Sequence, residues 1–108
     1  MMTSNVIEVV NFKLNTNAKL AQFHIANNAF QNFIDQQPGV LYRSLAKQPD
    51  TSDYIDVIYF ATPADAKRVS DAFSENETCQ QFAKLIEKQS VQLVKYEVLS
   101  QTACQQSK

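Results

Sequence analysis

One glycine, Gly39, and one histidine, His24, are all that these 108 residues hold of either type, and tryptophan is absent. A single glycine leaves no glycine-rich loop for phosphates or a dinucleotide. The two cysteines, Cys79 and Cys104, fit neither a metal-ligand nor a thioredoxin-like spacing. Cys79 falls on the apolar stripe of an expected helix and reads as a small buried hydrophobe, while Cys104 reads as an incidental thiol in a polar tail. Thr78 and Gln80 flank Cys79, so no neighbour stabilises a thiolate. No His/Cys/Asp/Glu cluster suggests a metal site, and no metal is expected. The 10 basic and 11 acidic side chains are dispersed and sum to −1, which leaves nucleic-acid binding without electrostatic support. No run approaches the roughly 18 apolar residues of a membrane span. Met1-Met2-Thr3-Ser4-Asn5 carries no basic stretch leading into an apolar one, so the expected compartment is the cytoplasm.

What the chain has is strands that are apolar on both faces. Tyr54-Ile55-Asp56-Val57-Ile58-Tyr59-Phe60-Ala61 is almost unbroken, and so is Val6-Ile7-Glu8-Val9-Val10. Side chains alternate across a sheet, so a sheet wet on one side reads apolar-polar-apolar. These strands do not, and both faces should be covered. The helical material suffices for about one face. The other cover is expected from a second copy of the chain.

The pattern predicts a first strand over Val6 to Leu14, N-caps at Asn15-Thr16-Asn17, and a long helix from Asn17 to Gln36. Leu20, Phe23, Asn27, Phe30 and Ile34 form its stripe, widened by Ala26 and Phe33. Pro38-Gly39 ends it, and Gly39 is the place that asks for a positive φ. A strand over Val40 to Lys47, a turn-rich loop at 48–53 and a strand over Tyr54 to Ala61 form a hairpin. Thr62-Pro63-Ala64-Asp65 starts a helix with a hydroxyl cap, a first-position proline and an acid in the first turn. A break near Asn76 divides it from a second helix carrying Cys79, Phe82, Ala83 and Ile86. The last strand spans Val91 to Leu99. One domain is expected over 5–100, with a polar, frayed tail over 101–108.

This order is that of an α+β, ferredoxin-like β-α-β-β-α-β fold with a four-stranded antiparallel sheet. Both helical segments lie on one face. Two sheets packed by their bare faces close a dimeric α+β barrel, each buried Val, Ile or Phe adding roughly 1.5–3 kcal/mol.

From Val6 to Leu99 the chain resembles the antibiotic biosynthesis monooxygenase family of the dimeric α+β barrel superfamily. The resemblance rests on Pro38-Gly39-Val40 after a long first helix, on the run from Tyr54 to Ala66, and on the Phe82 helix with its closing strand. It implies a ligand cleft between helices and sheet at one open end. The scaffold hosts several activities, including cofactor-free quinol oxidation, haem degradation, dehydratases and stress proteins. Haem degradation is set aside, because those relatives need a tryptophan and a histidine at a position that here falls near Leu85.

Several polar groups are expected to reach that cleft. Asn11 shares a strand face with Ile7 and Val9. It resembles the cleft asparagine of some relatives, and it equally fits a strand-end amide bonded to backbone or water. His24 lies beside the helical stripe and is the obvious neutral-pH base, or a boundary histidine facing water. Asn27 projects nearer the stripe. Tyr42, Tyr54, Tyr59 and Tyr96 suit either recognition of an aromatic molecule or plain strand packing. Arg43 faces away from Tyr42 and offers an anion contact or an ion pair.

The resulting expectation is a monooxygenase-like homodimer that binds a small aromatic or quinone-type molecule with no cofactor, neither metal nor flavin. His24 takes a proton, Asn11 holds an oxyanion, Tyr54 orients the ring, and Phe23, Asn27, Phe82 and Arg43 contact the substrate. The alternative is a non-catalytic ligand-binding or stress-associated dimer, with Phe23, Phe30 and Phe82 filling the cleft and His24 facing water. A third reading uses the C-terminal tail as an arm in a larger assembly.

Overall fold

A strict two-residue alternation decides where each strand residue points in the computed structural model, which describes residues 5–102. Four strands, β1 (Val6–Phe12), β2 (Val40–Lys47), β3 (Tyr54–Phe60) and β4 (Gln92–Glu97), form one antiparallel sheet in the order β2-β3-β1-β4. Helices α1 (Leu20–Asp35), α2 (Pro63–Glu75) and α3 (Glu77–Lys84) pack on one face. This is the ferredoxin-like α+β arrangement that the element order predicts. Cys104 and most of the tail lie outside the described residues.

The register gives each sheet face its own grid. On the helix side run the rows Arg43–Ile58–Glu8–Lys95 and Leu45–Asp56–Val10–Leu93. On the other side run Tyr42–Tyr59–Ile7–Tyr96, Ser44–Val57–Val9–Val94 and Ala46–Ile55–Asn11–Gln92. No described element covers that second face, and Tyr42, Val94 and Tyr96 are largely exposed on it. The core lies on the helix side, where Phe12, Phe23, Phe30, Ile34, Phe60, Val69, Cys79 and Phe82 are buried together.

Local signals set most boundaries. Thr62 caps α2, its hydroxyl accepting from the Asp65 amide at 3.1 Å, with Pro63 in the first turn. Asn76 closes α2 and caps α3, its side chain accepting from the Cys79 amide at 3.1 Å, so the break falls where the sequence places it. Gly39 has φ +87°, and a Cβ there would run into the Asp65 carboxylate. Asp50 (φ 63°) adds a positive φ in the β2–β3 loop, which an aspartate tolerates.

Several boundaries differ from expectation, among them the end of α3, which stops at Lys84 and leaves Ile86 beyond the helix. Helix α1 starts at Leu20 instead of Asn17, and Lys19 caps it without a side-chain bond. The expected cap Asn15 is engaged elsewhere: its amide donates to the Lys84 carbonyl at 2.8 Å and its backbone N–H to the Leu85 carbonyl at 2.9 Å. Beyond Phe12, strand β1 keeps only a bridge between Leu14 and Ile86. Strand β4 is shorter at both ends, and Lys88–Ser90 forms a 3-10 turn before it. Leu20, expected on the buried stripe, is exposed at the helix tip.

Candidate functional site

A cavity of about 290 Å³ lies between sheet and helices. Val10 and Phe12 of β1 and Ile58 and Phe60 of β3 form its floor, and Phe30, Ile34, Val69, Phe73 and Phe82 form its roof. The helices lie over β1, β2 and β3, and every residue of β4 is exposed. Lys88, Val91 and Leu93 therefore rim the cavity on the β4 side. The volume sits at the lower end of the roughly 300–1,000 Å³ usual for small-molecule sites.

The expected site residues do not converge on this space. Asn11 projects from the open face of the sheet and is exposed. Odd-numbered β1 residues point away from the helices, so Phe12, not Asn11, takes the cleft-side position. His24 is exposed on α1, its ring centroid 6.2 Å from that of Phe23, and it does not line the cavity. The stripe turns Phe23 inward and leaves its neighbour facing water. Tyr54 is on the helix side, stacked on Phe12 at 5.4 Å and edge-on to Phe23 at 5.2 Å, outside the cavity lining. Phe23 is core rather than lining, whereas Phe82 does line the cavity, 4.7 Å from Phe30 in a stacked pair.

Arg43 and Asn27 meet in a buried polar network. The Arg43 guanidinium donates to both Asp56 carboxylate oxygens, at 2.9 and 2.6 Å, and to Asn27 Oδ1 at 2.8 Å and Gln31 Oε1 at 3.1 Å. It also lies 4.6 Å from the Phe30 ring centroid and 5.6 Å from that of Phe82. Four of its five N–H groups are thus engaged within the chain, leaving little to offer a substrate anion. Asp56 lines the cavity with its charge already matched.

Two acids that the sequence reading passed over face the cavity from the sheet, Asp56 and Glu8. The signal was an acid inside each near-continuous apolar strand. Glu8 is 8% exposed, and its Oε2 accepts no hydrogen bond among the described residues. Lys95 Nζ stands 3.7 Å away, within ion-pair range but beyond a hydrogen bond. Burial pushes the Glu8 carboxyl above its ordinary value, and Lys95 offsets part of that rise. Cys79 is buried under the helices, and burial pushes its thiol up to about 11.

No protein-family model matches the chain, and no curated protein matches it. Solved structures do. A crystal structure of the cofactor-independent oxygenase SnoaB from Streptomyces nogalater superposes with a TM-score of 0.76 at 14% identity, covering 92% of this chain and 97% of that one. A Nitrosomonas europaea protein, provisionally named an antibiotic biosynthesis monooxygenase, gives 0.72 at 17% identity, covering 95% and 98%. A dimeric ferredoxin-like protein of unknown function from Jannaschia gives 0.67 at 14%, covering 87% and 99%. At these identities the likeness establishes the shared fold, the fold that the resemblance in the sequence implied.

Proposed function

We propose that this chain is a monooxygenase-like protein that holds a small aromatic or quinone-type molecule in the cavity between sheet and helices and oxidises it without metal or flavin. The observation that carries this reading is the aromatic-walled cavity of about 290 Å³, rimmed on the β4 side by Lys88, Val91 and Leu93. The fold shared with a cofactor-independent oxygenase supports it. In such chemistry the substrate supplies the electrons. A ring methylene loses a proton to a base, and the resulting carbanion is oxidised by molecular oxygen. In the balance, one methylene and one dioxygen give one ring carbonyl and one water. The apolar walls keep bulk water from the anion.

The reading includes two copies packed through the open sheet faces. Each face presents a grid of twelve side chains centred on Val9 and Val57. Left wet, that surface exceeds what single scattered hydrophobics explain. The proposed compartment of this dimer is the cytoplasm.

Oxygen uptake with a panel of hydroquinones and anthrones tests the activity. Wild type is expected to consume oxygen with at least one of them. Ala83→Phe, which puts a ring into the cavity, is expected to lose that uptake with its circular dichroism unchanged. A wild-type protein inert towards the whole panel refutes oxidation. One observation favours a second reading, a non-catalytic ligand-binding dimer: His24 faces water and Phe23 is sealed in the core. Under it, the panel binds and no oxygen is consumed.

A further inference from the structure

The cavity's two acids are treated differently by the fold. Asp56 has both oxygens held by Arg43. Glu8, in the row Arg43–Ile58–Glu8–Lys95, has a buried oxygen with no donor among the described residues. The groups around it leave that oxygen unsatisfied. Strand β3 contributes Asp56, already paired, and β4 contributes Lys95 at 3.7 Å. The turn before β4 contributes Lys88 at the rim, and the helices contribute apolar side chains and Ser70. A buried polar atom without a partner is costly, and an occupant carrying a donor removes that cost.

We propose that the Glu8 carboxylate is the proton acceptor for the molecule held in the cavity; this rests on the reading of that cavity as an aromatic-binding site. In the step, a C–H bond of a carbon acid, or the O–H bond of a hydroquinone, breaks. Its electron pair stays on the substrate, and the proton bonds to Glu8 Oε2. The products are a neutral carboxylic acid and a substrate anion. The upward push of burial on this carboxyl makes it a stronger base than a surface glutamate. Lys95 and Lys88, at the open side, favour the anion that forms.

The test is exchange of anthrone methylene hydrogens with solvent deuterium under anaerobic conditions, read by NMR, beside anthrone binding read by fluorescence. Wild type is expected to accelerate exchange at least tenfold over buffer. Glu8→Gln is expected to bind anthrone within threefold of wild type and to lose the acceleration. Lys95→Met removes the cation that favours ionised Glu8, so the pH midpoint of its exchange profile should move upward, a shift that a merely structural Glu8 would not produce. Retained exchange in Glu8→Gln, an unmoved midpoint in Lys95→Met, or wild-type binding without exchange each overturns the proposal. Absence of binding overturns it together with the cavity reading. Exchange without oxygen uptake leaves Glu8 its role and refutes the oxidation. Full oxygen uptake in Glu8→Gln does the reverse.

Discussion

Replacing Arg43 with methionine is expected to be among the most damaging single changes in this fold. The guanidinium side chain is fully buried and that of Asp56 is 6% exposed, so neither charge is hydrated. Arg43→Met leaves both Asp56 oxygens, Asn27 Oδ1 and Gln31 Oε1 without their donor. Breaking a buried pair from one side costs about 3–5 kcal/mol. That is a large part of the roughly 5–15 kcal/mol that holds a domain together. At about 4 °C per kcal/mol for this size, the melting temperature should fall by roughly 12–20 °C. The cost comes from the stranded carboxylate and not from lost attraction, so Arg43→Met combined with Asp56→Leu should recover most of it. Urea unfolding followed by circular dichroism, at one fixed protein concentration, measures all three proteins. A single variant that loses less than about 1 kcal/mol, or a double variant no more stable than the single, refutes the account.

Val57 sits at the centre of the open face, so Val57→Lys should convert a dimer into a species of 12.2 kDa by light scattering, and a wild-type monomer at micromolar concentration refutes the barrel. Burial holds the Glu8 carboxyl above its ordinary 4.5, so the folded state keeps a proton that the unfolded chain has released. Wild-type stability should therefore fall as pH climbs above about 4.5 and level off beyond the folded-state value, while Glu8→Gln, which cannot titrate, should gain on wild type over that window in urea titrations; a pH-independent difference contradicts this. Cys79, with its thiol at about 11, should resist iodoacetamide at pH 8 in the native protein and react only on unfolding, as peptide mass mapping will show. Gly39→Ala adds a side chain at φ +87° and displaces the Asp65 carboxylate from Thr62 and Arg68, so it should cost roughly 1–3 kcal/mol in thermal unfolding.

Strands β2 and β3 were legible because turn formers bracket them: Pro38-Gly39 before β2, residues 48–53 between the two, and Thr62-Pro63 after β3. The cap at Thr62 and the break at Asn76 were legible because the bonds made there are local. Asn15 was misread because its partners, Lys84 and Leu85, are about seventy residues away. The placement of the candidate site residues was hidden for a related reason. Strand β1 has two faces, Val6-Glu8-Val10-Phe12 and Ile7-Val9-Asn11, each apolar with one polar residue. A period of two separates these sets, but it cannot say which set the helices cover. Asn11 lies on the open face, and the acid Glu8 lies on the face that the helices cover.

That covered face shows how one scaffold separates structure from chemistry. Both acids on it are removed from water, and both need compensation for it. Asp56 receives a bidentate partner from the next strand, itself braced by Asn27, Gln31 and the Phe30 ring, and becomes a fixed part of the wall. Glu8 faces an edge strand that no helix covers, where Lys95 keeps its stem in water and reaches only part of the way. An edge strand cannot bury a lysine well enough to neutralise the acid beside it. The incompletely matched carboxylate therefore lies toward the open end of the cavity, where a molecule entering past Lys88 and Leu93 would meet it.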